Sequence, residues 1–308
     1  MKKILVIKLG ALGDFITALG PMRAIRTHHP DDRLTLLTTK PFEKMGYDCG
    51  IFDDVWLDTR PKWHNLSGWA ALRTRLNTAR FDRVYDLQNN DRTELYLKLM
   101  SPKPEWVGAA RGASHRNTSP DRTAARAYDG HVQTLGLAGI TNIAPDQLGW
   151  MASDTTRFAL TPPYVLLVPG CSPQHPRKRW PIDSYRTCAK DLMSRGYQVI
   201  VIGGPPEADT NAQLAQDLPV LNLTGQTQLY DIAALARGAA GAIGNDTGPS
   251  HMIAVSNCPI VVLYCSQESS IRKHGPLGTT AKAIEVQDLN ELEPATVLSG
   301  LAEILQKG

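Results

Sequence analysis

The sequence predicts an α/β protein of two domains, each built around a parallel β-sheet. Three observations lead to this prediction: a length of 308 residues, a repeated alternation of short apolar runs with longer amphipathic runs, and strand segments that are apolar without interruption. Domains usually contain about 100 to 200 residues, so two are expected. A continuous apolar strand such as residues 4–7 is buried on both faces, which requires helices on both sides of the sheet.

The first half of the chain has five predicted strands and one long predicted helix. The strands fall at residues 3–9, 33–39, 54–58, 81–88 and 105–110, and the helix at about 14–29. The N-terminal run superficially resembles a secretion signal, but Lys8 and Asp14 interrupt it, and we interpret it as a buried strand. Residues 111–126 have no usable periodicity and several turn formers, which indicates a functional or mobile loop.

The second half repeats the same rhythm more clearly. Its predicted strands fall at residues 164–169, 197–204, 220–225, 241–246, 259–265 and 281–286. Residues 153–163 are polar and rich in turn formers, so we expect the linker between the domains there. The predicted domains are therefore 1–158 and 159–308, with the last helix a candidate for packing back on the first domain.

Composition excludes several functional classes. The chain is 42% hydrophobic and 20% charged, as in soluble globular proteins, and its formal net charge of +3 is too small to indicate nucleic acid binding. Five cysteines without a C-x-x-C pair suggest neither a disulfide framework nor a zinc site, and they favour reduced thiols in the cytosol. No apolar run approaches the ~18 residues of a membrane span, so any membrane contact is expected to be peripheral.

The first predicted strand ends in a glycine-rich segment, Gly10 to Asp14. In open α/β sheets, ligands bind outside the carboxyl ends of the strands, which places Asp14 at a candidate site. The alternative is a helix N-cap, for which aspartate is favoured. The glycine spacing is not G-x-G-x-x-G, and no suitable acidic residue follows the second strand, so a nicotinamide-dependent dehydrogenase is disfavoured.

Two segments of the second half combine glycine or cations with a helix start. Arg177, Lys178 and Arg179 follow a tight turn and precede a helix, which favours an anion site over the alternative of a solvated basic loop. The segment 244–251 lies between an apolar strand and a helix, where backbone amides would cradle a diphosphate. Alternatively, Asp246 and Thr247 only cap that helix.

Four motifs in chain order resemble the ADP-heptose:lipopolysaccharide heptosyltransferase family, glycosyltransferase family 9. They are GALGDFITALGP at residues 10–21, KRWP at 178–181, GGPPE at 203–207 and GNDTGPSH at 244–251. The resemblance covers nearly the whole chain. It implies a GT-B fold, in which two Rossmann-like domains face each other across a cleft, and a reaction that inverts the anomeric carbon.

The resemblance also assigns residues to roles. Asp14 would be the catalytic base that takes the acceptor proton, and Lys178 would offset the charge of the leaving diphosphate in place of a metal. The expected donor contacts include Glu207 near the ribose and Asp246 at sugar hydroxyls. The full expected donor set is Gly13, Ser172, Glu207, Asp246, Thr247, Gly248 and His251. A metal-dependent transferase would need a D-x-D pair, which the sequence lacks, and no cofactor is expected beside the ADP-sugar donor.

The acceptor side is expected to be basic. Arg111, Arg116, Arg122 and Arg126 lie where the family has basic residues facing acidic lipid-linked sugars, although an ordinary solvated surface would look the same. The resemblance thus predicts a cytoplasmic, monomeric enzyme that moves heptose, or a related sugar, from an ADP-sugar to the inner core of lipopolysaccharide. It would contact the inner face of the cytoplasmic membrane and bind no nucleic acid.

Three alternatives to this function remain open from the residues. One is a transferase of the same fold that uses another nucleotide sugar. The second is a nucleotide-sugar epimerase or hydrolase, in which an internal proton transfer or water replaces the acceptor. The third is a catalytically silent carbohydrate-binding protein, which the joint presence of Asp14, Lys178 and Asp246 disfavours.

Overall fold

Two compact α/β units make up the chain. The computed structural model describes residues 1–306, and the units divide between Asp146 and Gln147. Each unit contains one six-stranded sheet whose strands are all parallel. The central strands are buried on both faces, because helices cover each sheet on both sides. The predicted two-domain α/β architecture is therefore confirmed.

The first unit contains strands β1 to β6 and helices α1 to α6. The strands are β1 Lys3–Ile7, β2 Arg33–Thr38, β3 Asp54–Leu57, β4 Arg83–Asp86, β5 Glu105–Gly108 and β6 His115–Arg116. The helices are α1 Leu12–His28, α2 Glu43–Asp48, α3 Leu66–Ala79, α4 Asp91–Leu99, α5 Asp121–Ala124 and α6 Ala127–Gly136. The strand order across the sheet is β3-β2-β1-β4-β5-β6.

The second unit contains strands β7 to β12 and helices α7 to α12. The strands are β7 Tyr164–Val168, β8 Gln198–Val201, β9 Leu221–Asn222, β10 Gly241–Asn245, β11 Ile260–Cys265 and β12 Ala281–Val286. The helices are α7 Ile182–Ser194, α8 Ala208–Ala215, α9 Leu229–Gly238, α10 Gly248–Val255, α11 Ile271–His274 and α12 Pro294–Leu305. Counted within the unit, the order β12-β11-β10-β7-β8-β9 repeats that of the first sheet.

This shared strand order fixes where each unit can bind a ligand. In both sheets the first strand of the unit pairs with the fourth, as in Rossmann folds, and the chain leaves these two strands in opposite directions. A crevice therefore opens at the carboxyl edge between β1 and β4, and another between β7 and β10. The glycine-rich segment follows β1, and the segment 246–248 follows β10.

The segment 111–126 is more regular than the sequence indicates. His115 and Arg116 form β6, which pairs with β5 in the register Val107↔His115, and α5 follows. The hydroxyl of Ser114 donates to the carbonyl of Trp106 and accepts from its amide, which fixes the entry to the strand. The prediction of a loop is wrong at β6 and α5, because two-residue and four-residue elements are too short to leave a periodic pattern.

The domain boundary lies earlier than residue 158. The carboxylate of Asp231, on α9, accepts hydrogen bonds from Ser153 and pairs with Arg157. Phe158 packs in the core beneath β7, and the guanidinium of Arg237 donates to two carbonyl groups, those of Leu148 and Met151. The predicted linker is therefore a segment packed on the second unit, which the polar composition of the segment does not reveal.

The last helix belongs to the core of the second unit. Val297, Leu301 and Ile304 of α12 lie in one hydrophobic cluster with Val165 and Leu263 of the central strands. The helix therefore stabilises the sheet of its own unit. The expectation that it also packs back on the first domain stays a prediction.

All five cysteines are buried and carry free thiols. Burial raises the pKa of Cys188 and of Cys258 to about 12. Within residues 1–306, none of the helices has both the length and the apolar composition required to cross a bilayer.

Candidate active site

A partly buried ion pair marks the crevice of the second unit. Lys178 ends a short 3₁₀ helix after β7, and Asp246 directly follows β10. The Lys178 Nζ lies 2.7 Å from Asp246 Oδ2, and the two side chains are 16% and 5% exposed. The crevice thus brings together two residues that lie 68 positions apart in the sequence.

Asp246 is held as a carboxylate by its neighbours. Burial by itself would raise its pKa, but hydrogen bonds from His251 and Lys178 outweigh that effect, and the pKa lies well below its usual range. The His251 Nε2 is 3.3 Å from the second carboxylate oxygen. The alternative in which Asp246 only caps the next helix is wrong, because its oxygens are engaged by these two side chains.

The N-terminus of α10 lies beside this ion pair. Thr247 is the N-cap residue, and its side chain makes no capping hydrogen bond. The first N–H groups of an α-helix have no acceptor within the helix and carry a partial positive charge. Thr247 and Gly248 therefore present an anion-binding terminus next to Lys178.

Asn245 ties the loops of this crevice together. Its Oδ1 accepts from the Trp180 amide at 3.2 Å and from the Tyr185 hydroxyl at 3.1 Å. Its Nδ2 donates to the carbonyl of Pro169 at 2.6 Å. Asn245 was not among the site residues predicted from the sequence. Its position at the end of an apolar strand is the only feature of the sequence that points to a role.

Glu207 lies against the glycine turn that follows β7. Its Oε2 accepts a hydrogen bond from the amide of Gly204 at 2.8 Å. A Cβ at Gly170 would lie 2.6 Å from the Glu207 Cγ, so a larger residue at position 170 would displace the Glu207 side chain. The same turn leads to Ser172, whose side chain is exposed, and Arg179 donates to the carbonyl of Cys171.

Six of the seven predicted donor residues lie in three segments of the second unit that follow β7, β8 and β10, strands that are neighbours in the sheet. The segment after β10 includes the first turn of α10. The residues are Ser172, Glu207, Asp246, Thr247, Gly248 and His251. Gly13 is different, since it is the second residue of α1 in the first unit.

Two further polar contacts border this crevice. The His175 Nδ1 lies 3.0 Å from Glu268, and Arg177 donates to Gln267 at 2.7 Å. These contacts join the segment before α7 to the turn after β11. Sequence reasoning missed Gln267 and Glu268, which carry no motif.

In the first unit, Asp14 is an unengaged carboxylate. It is the third residue of α1, whereas the N-cap position is held by Ala11, so the N-cap alternative is wrong. Asp14 is half-buried, and among residues 1–306 no donor forms a hydrogen bond or ion pair with its carboxylate. The carboxylate is therefore available to an incoming group.

A buried charge cluster lies close to Asp14. Lys8 is 4% exposed, and its Nζ donates to the carbonyl of Leu87 at 3.3 Å. Burial lowers the pKa of Lys8, while the negative charges of Asp14 and Asp86 act in the opposite direction. Asp86 accepts from two backbone amides, and burial raises its pKa to about 6. His131 is also buried, and its pKa is well below the usual range because of that burial and the charge of Lys8.

The four predicted acceptor arginines are distributed over β6, α5 and the flanking turns. Arg111 and Arg116 are exposed, and Arg122 is half-buried. Arg126 precedes α6, and both Nε and one terminal nitrogen donate to Asp129 at 2.9 and 3.1 Å. The fork of Arg126 is thus already occupied by a carboxylate, which distinguishes it from the other three.

In the described part of the chain, no group of three or more His, Cys, Asp or Glu side chains could hold a metal ion.

The chain contains two Rossmann-like units, and in each of them polar loops lie where the strand order reverses. Two such units are typical of the GT-B class of glycosyltransferase folds. The structure of a family 9 glycosyl transferase from Veillonella parvula DSM 2008 is similar, with a TM-score of 0.84, 21% identity and coverage of 100% of this chain and 98% of the other. The structure of Escherichia coli ADP-heptose lps heptosyltransferase II gives a TM-score of 0.76 at 22% identity, with 99% coverage of both chains. The predicted GT-B fold is confirmed.

The family assignment rests on the sequence. Residues 69–297 match glycosyltransferase family 9 (heptosyltransferase), and the chain belongs to that family. Lipopolysaccharide heptosyltransferase 2 of Escherichia coli K12 is 27% identical over 218 residues, which are 61% of this chain and 61% of that protein. The matched part therefore spans about three-fifths of that relative.

The buried Asp86 predicts a pH-dependent stability. Burial raises its pKa from 3.8 to about 6, so the folded state retains this proton to higher pH than the unfolded chain does. The associated stabilisation is complete below pH ~4 and is lost as the pH rises through ~6, with an upper limit of about 3 kcal/mol. Asp86→Asn keeps an acceptor oxygen and removes the titration. We expect the melting temperature of the variant, relative to wild type, to increase by several degrees from pH 4 to pH 7.

The control for this prediction is the exposed Asp31→Asn. Its melting temperature should differ from wild type by the same small amount at every pH. A difference between Asp86→Asn and wild type that stays constant from pH 4 to pH 7 would show that folding does not raise the pKa of Asp86.

Proposed function

We propose that this protein transfers a heptose, or a related sugar, from an ADP-sugar to the inner core of lipopolysaccharide with inversion of the anomeric carbon. The observation that carries the proposal is the Lys178–Asp246–His251 cluster at the N-terminus of α10. It combines a cation and a helix terminus, which suit a diphosphate, with a carboxylate that suits sugar hydroxyls. Family membership and the ADP-heptose transferase among the similar structures support this choice of donor.

On the donor side, the second unit stabilises the leaving group. As the acceptor oxygen bonds to the anomeric carbon, the bond between that carbon and the diphosphate oxygen breaks, and the electron pair leaves with ADP. Lys178 and the amides of Thr247 and Gly248 face the negative charge that develops on the diphosphate. Asp246 accepts hydrogen bonds from the sugar, and Glu207 accepts from the ribose. Ser172 adds a hydroxyl at the phosphates.

On the acceptor side, the first unit supplies the base. The acceptor hydroxyl loses its proton to Asp14, whose carboxylate is free of protein hydrogen bonds among residues 1–306. Arg111, Arg116 and Arg122 contact the acidic groups of a lipid-linked saccharide. Because Arg126 is paired with Asp129, we assign it to the support of α6 rather than to direct contact. The enzyme acts as a cytoplasmic monomer at the inner face of the membrane.

Asp14→Asn tests the base. Asparagine keeps the size and the hydrogen-bonding capacity of aspartate but cannot take a proton, so the single-turnover transfer rate should fall by ~10² to 10⁴. Donor affinity, measured by titration calorimetry with a non-reactive ADP-sugar analogue, should stay close to wild type, because six of the seven expected donor residues lie in the second unit. The matched control is Asp31→Asn, an exposed aspartate of the same unit.

The same reactions separate the alternative functions. Products are analysed with and without acceptor saccharide, since an epimerase or a hydrolase would consume the nucleotide sugar in the absence of acceptor. An unchanged transfer rate in Asp14→Asn would remove Asp14 from the mechanism. A protein that binds the donor without any turnover would be a carbohydrate-binding protein instead.

Lys178→Ala tests the leaving-group contact. Removal of a positive charge from the departing diphosphate should lower kcat/KM for the donor by ~10² to 10³. Arg177→Ala is the matched control, because Arg177 is the adjacent cation and its guanidinium contacts Gln267 instead of Asp246. Its loss should be less than ~5-fold. Similar losses in both variants would mean that the segment contributes only diffuse positive charge.

Chelation tests the absence of a metal requirement. If Lys178 and the α10 terminus supply the positive potential, initial rates in excess EDTA should equal those in added magnesium. Activity that disappears with EDTA and returns with magnesium would contradict this part of the proposal.

A further inference from the structure

A tryptophan just before α3 and the leucine that begins α3 are exposed to solvent. Trp63 is 85% exposed and Leu66 is 78% exposed. A buried tryptophan typically removes about 150 to 250 Å² of its surface from water. Because Trp63 and Leu66 are exposed, neither provides the hydrophobic stabilisation that its burial would give. An exposed apolar pair of this kind indicates a surface that meets another apolar phase.

The turn that carries this pair is held by hydrogen bonds. The Asn65 amide donates to the carbonyl of Lys62 at 2.9 Å, and the Trp69 Nε1 donates to the same carbonyl at 3.1 Å. The Asn65 Oδ1 caps α3 by accepting from the Gly68 amide at 2.9 Å. The exposure of Trp63 is therefore a property of a fixed turn.

The charged residues of the same segment are all basic. Between Asp58 and Asp82 the sequence contains no aspartate or glutamate and five basic residues, namely Arg60, Lys62, Arg73, Arg75 and Arg80. Arg60 donates to the carbonyl of Leu9, and Arg75 lies over the ring of Trp56. Within residues 1–306, the side chains of Lys62, Arg73 and Arg80 have no hydrogen-bond or ion-pair partner. Their charges are therefore available to a ligand outside the protein.

One of the free cations, Arg73, lies on the same helix face as Leu66. Leu66, Ala70 and Arg73 are four and three residues apart, so they lie on the same side of α3. A groove of about 760 Å³ continues this face and is lined by both Arg73 and Arg80. The helix thus presents apolar side chains at its N-terminal end and guanidinium groups along the groove.

The position of this surface relates it to Asp14. The segment leaves β3 at the carboxyl edge of the first sheet, which is the edge where the glycine-rich segment leaves β1. The Arg60 guanidinium donates to the carbonyl of Leu9 at 2.8 Å, directly before that segment. A phase contacted through Trp63 would therefore lie near the edge that carries the candidate base.

We infer that this α3 surface, formed by Lys62, Trp63, Leu66, Arg73 and Arg80, docks on a bilayer that contains anionic lipid headgroups. Trp63 and Leu66 enter the interfacial layer, where tryptophan is favoured, and the three cations contact lipid phosphates. The uniform positive charge favours a lipid surface over a second copy of the chain, whose own α3 surface would repel it. The inference deepens the proposed function by naming the surface that meets the membrane, but its test needs no turnover.

Vesicle co-sedimentation of the full-length protein tests the docking surface. Wild type should bind phosphatidylcholine vesicles that contain phosphatidylglycerol, and the double variant Trp63→Ser/Leu66→Ser should show at least ~10-fold weaker partition. The matched control is Tyr47→Ser/Leu137→Ser, which removes two apolar side chains that are 55% and 50% exposed elsewhere on the same unit. That control should bind as wild type does. Melting temperatures close to wild type confirm that both variants fold.

A second pair of substitutions tests the charge. Lys62→Gln/Arg73→Gln should weaken binding to the anionic vesicles by ~5-fold for each charge removed and should leave binding to pure phosphatidylcholine unchanged. Equal binding of wild type to anionic and neutral vesicles would overturn the inference. So would unchanged binding in Trp63→Ser/Leu66→Ser. A wild-type dimer that this double variant converts to a monomer in gel filtration would assign the surface to a contact between copies.

Activity on a soluble acceptor separates this inference from the proposed function. Trp63→Ser/Leu66→Ser should transfer sugar to a delipidated acceptor saccharide at the wild-type rate, and a large loss there would assign the surface to the saccharide. A wild-type protein that binds anionic vesicles but turns over no nucleotide sugar would contradict the proposed function and leave the docking surface intact.

Discussion

The side-chain amide of Asn245 is the contact on which the geometry of the second unit's crevice depends. It satisfies the Trp180 amide, the Tyr185 hydroxyl and the Pro169 carbonyl, three buried groups from the loop after β7 and from the start of α7. A buried polar group that loses its partner typically costs about 1 to 3 kcal/mol. Lys178 lies two residues before Trp180, and Asp246 directly follows Asn245, so this contact joins the two segments that carry the ion pair.

The two units share a topology but hold their carboxylates differently. Asp246 is contacted by a lysine at one oxygen and by a histidine at the other, and its pKa is far below the usual range in spite of burial. A carboxylate in that state is a poor proton acceptor and a good hydrogen-bond acceptor, which suits recognition of hydroxyl groups. Asp14 lacks such partners among residues 1–306, and the nearby Lys8 is buried. The two aspartates are therefore held in different electrostatic environments by their surroundings.

The sequence predicted the elements and residues that leave a strong local pattern. Continuous apolar runs located eleven strands, and motifs after strand ends located Asp14, Lys178 and Asp246. The sixth strand of the first sheet, His115–Arg116, was too short to show a period. The domain boundary was missed because Ser153 and Arg157 are held on the second unit by contacts with Asp231. Contacts between residues so far apart in the sequence leave no local pattern. Lys8, in contrast, is recognisable in the sequence, because it is a charged residue within the first predicted strand.

The burial of all five cysteines has a consequence for the chemistry of the surface. The thiolate is the reactive form of cysteine, and burial holds the pKa of Cys188 and of Cys258 at about 12, so these groups are protonated at neutral pH. The other three, Cys49, Cys171 and Cys265, are also enclosed by the cores or by loop carbonyls. All the thiols of the folded protein are therefore shielded from thiol-directed oxidants and alkylating reagents. Its thiols become reactive only as the chain opens, so that their rate of modification reports unfolding.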